Sequence, residues 1–378
     1  MRVLHTADWH LGRPFHGESL LDAQAAVVDH VVEVARTSCV DAVLLAGDLF
    51  DRALPPVDAV RLADEALRRL VEVCPVVLIS GNHDSGPRLG FGSGLLEGAG
   101  LHVRTDPARV REPIAVGDGL VYALPYLEPD VARDVVGAEG RGHGPVLRAA
   151  MDHVRADLAA RAFDGPSIAL AHAFVAGALE SASERDLAVG GAASVPLSTF
   201  EGASYVALGH LHAPQRVGST GRYAGSPVAF SFSEAGQTKS LAVVDVRAGA
   251  APEVELLACP VLRPLATIRG TLDELLTDAA LDVHEGAWVQ ATLTDPARPA
   301  DAMERLRRRF PHAVVLAFDP QGALDAPGGS YAARLRGLDD AELVARFVQD
   351  VRGVEASEAE LALLGDALTA GRVAEVAA

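Results

Sequence analysis

The sequence predicts an α/β fold with a second, small α+β domain and amphipathic C-terminal helices. Short apolar runs recur along the chain at lengths typical of buried strands. The two segments that separate the first three of these runs carry apolar residues at helical spacing. At 378 residues, the chain also exceeds the ~250 residues at which one hydrophobic core usually stops growing, so two domains are expected.

The first part of the chain alternates candidate strands with candidate helices. A stripe that includes Val28 and Val32 lies between the first two strands, and a stripe that includes Ala63 and Leu67 lies between the next two. The resulting order β-α-β-α-β is typical of the beginning of an α/β sheet. The candidate strands are Val3–His5, Ala42–Ala46, Val76–Ile79, Leu120–Leu124, Ile168–Ala171, Tyr205–Leu208 and Leu241–Val244.

The pattern changes near residue 264, where a compact second unit begins. Its candidate elements are a strand at Leu265–Ile268, a helix from Leu272, a strand around Trp288–Leu293, a helix over Ala300–Phe310 and a strand at Ala313–Ala317. A stretch rich in Gly, Pro and Ala then indicates a linker. We therefore divide the chain into a main domain at 1–262, a small domain at 263–319, a linker at 320–337 and C-terminal helices at 338–378.

The C-terminal helices carry two apolar stripes. Leu343, Phe347 and Val351 recur at four-residue spacing, and a second stripe runs through Leu361, Leu364 and Leu368. Short helices of this kind need a surface to pack on. That surface is either a groove or coiled coil on a partner or the chain's own domain, and the stripes alone favour neither.

The composition, with 49% hydrophobic and 22% charged residues, is that of a globular protein, and no run is long enough for a membrane segment. The amino terminus lacks the pattern of a secretory signal, so we expect a cytoplasmic protein. The net charge of −18 argues against nucleic-acid binding by bulk electrostatics, unless a partner subunit supplies basic surface. Three widely spaced cysteines indicate neither disulfides nor a thiolate site. The single lysine, Lys239, is attributed to composition.

Polar motifs stand where the apolar strands end. Because the carboxyl ends of strands in an α/β sheet gather ligands at one edge, we expect these motifs to converge. Each one alone is a weak signal, and their common position carries the prediction. They are Asp8-Trp9-His10, Gly47-Asp48, Gly81-Asn82-His83-Asp84, His172 and Gly209-His210-Leu211-His212.

These motifs predict a centre for two divalent cations. Carboxylate, imidazole and carboxamide ligands suit manganese, iron or zinc. Seven ligands are too many for one tetrahedral ion and fit two ions that share a carboxylate, an arrangement that activates water and neutralises a phosphoryl group. The predicted reaction is therefore phosphoester hydrolysis. The candidate ligands are Asp8, His10, Asp48, Asn82, His172, His210 and His212.

Local spacing suggests how these residues are presented. In an extended segment, residues two apart point the same way, so Asp8 with His10, and His210 with His212, would each face the metals. Glycines before Asp48, Asn82 and His210 would allow tight turns. His83 could protonate the leaving oxygen or stabilise the pentavalent phosphorus, and Asp84 could orient its imidazole. The remaining eight histidines are interpreted as surface or core residues, and Arg13, Arg52 and Arg88 as solvated loop residues rather than phosphate contacts.

The motifs, taken in order, resemble the calcineurin-like phosphoesterase superfamily. The longer phrases resemble its SbcD branch, the nuclease subunits of bacterial double-strand-break repair. The phrases are Met1-Arg-Val-Leu-His-Thr-Ala-Asp-Trp-His-Leu-Gly12, Ala46-Gly-Asp-Leu-Phe-Asp51, Gly81-Asn-His-Asp84, Tyr205-Val-Ala-Leu-Gly-His-Leu-His212 and Tyr223-Ala-Gly-Ser-Pro227. The resemblance implies a two-sheet sandwich flanked by helices, with the small domain capping the active site and contacting DNA.

The resemblance also implies residue roles and partners. Asp8, His10, Asp48 and His212 would hold one manganese ion, and Asp48, Asn82, His172 and His210 the other, with His83 as the catalytic histidine. The chain would form a homodimer within a heterotetramer with the SbcC coiled-coil ATPase, which uses the ATP and docks on the terminal helices. The implied activity is 3′–5′ exonuclease on duplex ends and endonuclease on single strands and hairpins, in DNA repair, recombination and replication. Asp51 stands where archaeal and eukaryotic relatives carry histidine, and the bacterial branch resembles this chain there.

Two other functions remain open at this level. A stand-alone phosphodiesterase or nucleotidase for small nucleotides would use the same metals and chemistry but would need neither a capping domain nor docking helices. A catalytically idle scaffold for the ATPase would not need all seven ligands and His83. Both alternatives make different predictions for cleavage of linear duplex DNA.

Overall fold

The computed structural model describes residues 1–179, 181–184, 194–321, 335, 337–352 and 354–376, and residues 371–376 only as backbone. The predicted linker at 320–337 lies largely outside the described residues. The chain divides into two compact units, Met1–Leu293 with Pro299–Phe318, and Thr294–Arg298 with Asp319–Ala378.

Secondary structure alternates along the chain much as the apolar pattern predicts. The strands are β1 Arg2–Thr6, β2 Pro14–Phe15, β3 Glu18–Ser19, β4 Ala42–Leu45, β5 Val76–Ile79, β6 Leu101–Arg104, β7 Ile114–Val116, β8 Gly119–Leu124, β9 Ser167–His172, β10 Tyr205–Gly209, β11 Gln215–Val217, β12 Gly221–Tyr223, β13 Ser240–Asp245, β14 Glu253–Ala258, β15 Leu265–Gly270, β16 Trp288–Leu293 and β17 Ala313–Phe318. The α-helices are α1 Leu21–Thr37, α2 Val57–Val71, α3 Gly86–Leu89, α4 Ser93–Leu96, α5 Pro129–Val136, α6 His143–Ala160, α7 Leu272–Thr277, α8 Ala302–Arg309, α9 Asp340–Arg352 and α10 Glu358–Val376.

Two six-stranded sheets form the main body. The first has the order β14-β13-β1-β4-β5-β6 and the second the order β11-β12-β10-β9-β8-β7. Strands β1, β4 and β5 run parallel, as do β8, β9 and β10, so their carboxyl ends lie at one edge of each sheet. The central strands β4 and β5 are apolar at every position, because both of their faces are covered.

Alternation along the strands divides the core into layers. In β4, Leu44 faces the second sheet, whereas Val43 and Leu45 face the layer of α1 and α2. The outer face of the second sheet packs on α5 and α6 through residues such as Val146 and Met151. The predicted two-sheet sandwich flanked by helices is therefore confirmed.

The small domain packs against the main body on one side. Its three parallel strands have the order β15-β16-β17 and are joined by α7 and α8. Helix α7 begins after Thr271, which forms a capping box with Glu274. The face opposite these helices presents Leu265 and Trp288 to an apolar cluster that contains Phe230 and Phe232. These two phenylalanines belong to residues 230–234, which we call the 230–234 turn.

The terminal helices α9 and α10 contact each other. Within the described residues of α9 none is buried, and the apolar side chains of Phe347 and Val351 are 59% and 67% exposed. The predicted stripe is thus present, with part of it facing solvent. Among the described residues, no helix has the length and apolar character needed to cross a membrane.

Candidate metal centre

The seven candidate ligands converge at one edge of the sandwich. Asp8, Asp48 and Asn82 follow β1, β4 and β5 of the first sheet, while His172 ends β9 and His210 follows β10 of the second. Parallel strands bring these positions to the same edge, which explains why residues far apart in sequence meet here. The sequence-based expectation of convergence agrees with this placement.

One group of side chains gathers around His10. Its Nε2 atom lies 3.1 Å from Nε2 of His212. Potential ligand atoms of Asp8, His10 and His212 all lie within 4.8 Å of one another, and all three residues are buried. The Asp8 carboxylate also accepts the backbone N–H of His210, at 3.0 and 3.1 Å to its two oxygens. This hydrogen bond joins the ends of β1 and β10.

A second group gathers around Asn82. Its Oδ1 atom lies 2.8 Å from Nε2 of His172 and 3.2 Å from Nδ1 of His210. Between the two groups lies Asp48, whose Oδ2 atom is 3.6 Å from Nε2 of His10 and 3.5 Å from Nε2 of His172. This intermediate position is the one that a carboxylate shared by two ions would take.

The donor atoms themselves fit cations. His172 donates its Nδ1–H to the carbonyl of Ala46 at 2.8 Å, so the neutral ring carries a lone pair on Nε2. That lone pair faces the side-chain oxygen of Asn82 at 2.8 Å, and a positive charge between these two acceptors would remove their repulsion. Burial lowers the pKa of His172 to about 4, so a proton on the ring does not supply that charge at neutral pH. The geometry and chemistry of the set therefore suit a divalent cation.

Burial controls the charge of the other groups too. It raises the pKa of Asp8 well above the ordinary range, and the negative charge of Asp48 adds to the effect. It also lowers the pKa of His10 and His210 well below the usual value, and the pKa of His212 to about 4. Neutral imidazoles offer lone pairs to a metal, and a bound cation would favour the ionised form of the Asp8 carboxyl group.

The backbone at the ligands differs from the prediction. We expected an extended segment to align Asp8 with His10 and His210 with His212. Instead Asp8, His10 and Asp48 have φ angles of 53°, 43° and 50°, and His210 has φ 105°. Extended alternation was therefore the wrong explanation, because these residues lie past the strand ends in left-handed turns that few non-glycine residues adopt.

The glycines before the ligands act mainly by leaving space. Gly47, with φ 89°, makes the expected turn. At Gly81 a Cβ atom would lie 2.1 Å from Oδ1 of Asp48, and at Gly209 it would lie 1.9 Å from the carbonyl oxygen of Ala46. The adjoining strand ends therefore approach each other more closely than any side chain permits.

His83 lies beside Asp48 and is nearly buried. Its backbone N–H donates to Oδ1 of Asp48 at 2.8 Å, and its Nδ1 lies 2.6 Å from the carbonyl oxygen of Asp51. Orientation of this imidazole by Asp84, suggested by the sequence, stays a prediction. Asp84 accepts backbone N–H groups of Gly81, Leu49 and Phe50, the first two at 3.0 and 3.2 Å. Burial and the charge of Asp48 raise the pKa of Asp84 to about 6.

Several residues that the motifs did not identify surround the centre. Ser183, Glu234 and Lys239 form a buried polar chain that ends on His212. Their separation in sequence and the lack of a local motif hid them, and Lys239 had been attributed to composition. Arg13, interpreted from sequence as solvated, donates to the carbonyl of Ser183 at 2.6 Å and lies over the ring of Phe230 at 4.8 Å.

Two other sequence interpretations can be compared with the structure. His143, grouped with surface and core histidines, has its ring 5.7 Å from Tyr126, which itself lies 6.2 Å from the ring of His172. It therefore borders the centre. His5 is a core residue as expected, 2.9 Å from the hydroxyl of Tyr205 between the sheets.

Known proteins resemble this chain over nearly its whole length. The family described as calcineurin-like phosphoesterase matches residues 1–214. The SbcD subunit of the SbcCD nuclease of Bacillus subtilis (strain 168) is 33% identical over 399 aligned positions, which cover 95% of this chain and all of the relative. The chain belongs to the SbcD family. The resemblance to this family that the sequence motifs predict is thereby confirmed.

The SbcD relationship extends past the phosphoesterase body. The family described as Type 5 capsule protein repressor C-terminal domain matches residues 261–352, which include the small domain and α9. The solved crystal structure of TT1561 from Thermus thermophilus is 16% identical, with a TM-score of 0.40 over 68% of this chain and 98% of that chain. That likeness is too weak to support a conclusion. Membership of the SbcD family therefore rests on the sequence relative and the two family matches.

Proposed function

We propose that this SbcD family member is a DNA nuclease that hydrolyses phosphodiester bonds with two divalent cations. The observation that carries the proposal is the convergence of seven ligand side chains around Asp48, next to His83. As the family resemblance implies, Asp8, His10, Asp48 and His212 would hold one manganese ion, and Asp48, Asn82, His172 and His210 the other. The ions would supply an activated water and neutralise the charge of the phosphoryl group.

The residues of the chain prepare the rest of the reaction. Donation of Nδ1–H to the Asp51 carbonyl fixes the tautomer of His83, so its Nε2 is the nitrogen that exchanges a proton with the substrate. The bond from the His83 backbone to Asp48 holds the imidazole at a set distance from the shared ligand. Asp84 acts here as a positioning residue, because its three backbone hydrogen bonds tie the Gly81–Asp84 loop to the Asp48 loop.

The substrates and modes of cleavage are inferred from the family resemblance. We infer 3′–5′ exonuclease action on duplex ends and endonuclease action on single strands and hairpins, in DNA repair, recombination and replication. The partner would be an SbcC-type ATPase docked on α9 and α10, whose exposed apolar side chains support such a contact. Because the chain has a net charge of −18, a partner that supplies basic surface would also strengthen its binding to DNA.

The second candidate, a stand-alone phosphodiesterase or nucleotidase for small nucleotides, uses the same centre. An enzyme for small nucleotides would need no second domain. The small domain, which packs against the 230–234 turn, therefore argues for a longer substrate. Manganese-dependent shortening of end-labelled linear duplex, measured with the ATPase partner present, tests the choice. Cleavage of mononucleotides or cyclic nucleotides alone would refute the nuclease proposal.

Replacement of the catalytic histidine separates chemistry from metal binding. We expect His83→Gln to lower DNA cleavage ~100- to 10,000-fold, the usual contribution of a proton-transfer group. Manganese content, measured by elemental analysis, and melting temperature should stay at the wild-type values. Unchanged cleavage would remove the catalytic role, and loss of manganese would make His83 a ligand instead.

A further inference from the structure

A chain of buried polar side chains leads away from His212. Nδ1 of His212 lies 2.5 Å from Oγ of Ser183, and Ser183 donates its hydroxyl to Oε1 of Glu234. The other carboxylate oxygen, Oε2, lies 2.5 Å from Nζ of Lys239. The side chain of Glu234 has no exposed surface and that of Lys239 is 5% exposed.

The order of donors in this chain is fixed. A carboxylate only accepts, so the Ser183 hydroxyl gives its hydrogen to Glu234, and toward Nδ1 of His212 its oxygen can act only as an acceptor. Nδ1 of His212 must therefore carry the hydrogen, and the lone pair of the neutral ring lies on Nε2. That is the atom 3.1 Å from Nε2 of His10, within the metal centre.

Lys239 holds the same loop from the other side. Its ammonium group donates to the carbonyl oxygen of His212 at 2.8 Å, to Oγ of Ser226 at 3.1 Å and to Oε1 of Gln237 at 2.9 Å. A compact ammonium directs its three N–H donors around one point, whereas arginine spreads its donors in a planar fork. The one lysine among the 33 lysine and arginine residues of the chain thus lies buried where several acceptors meet.

We propose that Ser183, Glu234 and Lys239 are positioning residues that hold the His212 ring in the tautomer and orientation required by one metal ion. Ligating histidines commonly donate their second ring nitrogen to such a partner, and loss of the partner weakens metal binding. The proposal rests on the proposed metal function. It assigns a task to three residues that no ligand motif includes.

The alternative is that the Glu234–Lys239 pair only ties two loops together. Removing one member of a buried ion pair would then destabilise the protein by leaving the other charge without compensation. Stability alone therefore does not separate the two roles. Ser183 does, because it joins the pair to His212 while contributing no charge.

The test measures manganese binding to the metal-free, full-length protein by titration calorimetry, together with its melting temperature. We expect Ser183→Ala to weaken one of two manganese sites about 10- to 100-fold, with the other site and the melting temperature unchanged. Ser183→Thr, which keeps a hydroxyl, should restore binding. The double variant Glu234→Gln with Lys239→Met removes both charges at once and should also weaken that one site.

A matched control uses an ion pair remote from the centre. Glu97 accepts from Arg109 at 3.0 Å and pairs with the buried Arg104, so Glu97→Gln should lower the melting temperature and leave manganese binding intact. Wild-type manganese binding in Ser183→Ala and in the double variant would overturn the proposal while leaving the nuclease function standing. A wild-type protein without manganese sites would refute the proposed function itself.

Discussion

Residues at the centre are held in conformations that they would not adopt alone. Asp8, His10, Asp48 and His210 all have positive φ, at a cost of about 1–3 kcal/mol each. Backbone hydrogen bonds impose these turns, among them Asp8 N–H to the Gly47 carbonyl and His10 N–H to the Asp48 carbonyl, both at 3.0 Å. The cost is tolerated because the turns direct the ligand side chains toward one point.

Close packing at Gly81 leads to a prediction at this scale. In Gly81→Ala the new Cβ would collide with Oδ1 of Asp48, the carboxylate expected to serve both ions. We expect manganese affinity and cleavage to fall by ~100-fold or more, since small misplacements at a reacting centre have effects of that size. Calorimetry and DNA cleavage would measure both.

A second glycine supplies the control. A Cβ added at Gly98 meets no atom within 4 Å, so Gly98→Ala should bind manganese and cleave DNA as the wild type does. Wild-type behaviour in Gly81→Ala would mean that the loop adjusts without disturbing Asp48.

Elements were more predictable from sequence than the turns between them. The strands β4, β5, β9 and β10 match their apolar runs closely, because burial on both faces leaves a continuous apolar signal. The turns at Asp8 and His210 depend on hydrogen bonds between segments separated by 202 residues, which no local pattern records. The same limit concealed Glu234.

Helix α9 carries the prediction at the element scale. Its exposed Phe347 and Val351 would be covered by the ATPase, so replacing both with Glu should abolish or weaken the interaction at least ~10-fold. Basal manganese-dependent cleavage of single strands by the isolated chain should stay unchanged. Co-purification and calorimetry with the ATPase measure the first effect.

The control for this prediction is Ala341→Glu, an exposed position near the start of the same helix, which should bind the ATPase normally. Normal ATPase binding by the double Glu variant would show that the contact lies elsewhere. A simultaneous loss of basal cleavage would indicate that α9 belongs to the catalytic fold.

At the scale of the whole molecule, exposed apolar side chains follow the loop that carries His83. Phe91 and Leu95 are 87% and 88% exposed and stand four residues apart, and Leu54 is also exposed on the neighbouring loop, where Arg88 donates to the carbonyl of Ala53. Surfaces of this kind usually mark contacts between proteins. Since the resemblance implies a dimer of nuclease subunits, we propose that a second copy of the chain covers this surface.

Mass measurement in solution tests the dimer. Phe91→Asp combined with Leu95→Asp should convert a dimer to a monomer, because burying two carboxylates in an apolar contact is strongly unfavourable. Val283→Asp, at a similarly exposed apolar position of the small domain, should leave the mass unchanged. A dimer that survives the double change would place the interface elsewhere.

The 230–234 turn contacts both the small domain and the polar residues behind His212. Phe230 and Phe232 pack with the small domain, while Glu234 in the same turn reaches Ser183 and Lys239 behind His212. We therefore expect displacement of the small domain to alter the free energy of cation binding at the proposed centre. By reciprocity, cation binding would change the free energy of that displacement by the same amount, so ion occupancy and the position of the small domain would be coupled.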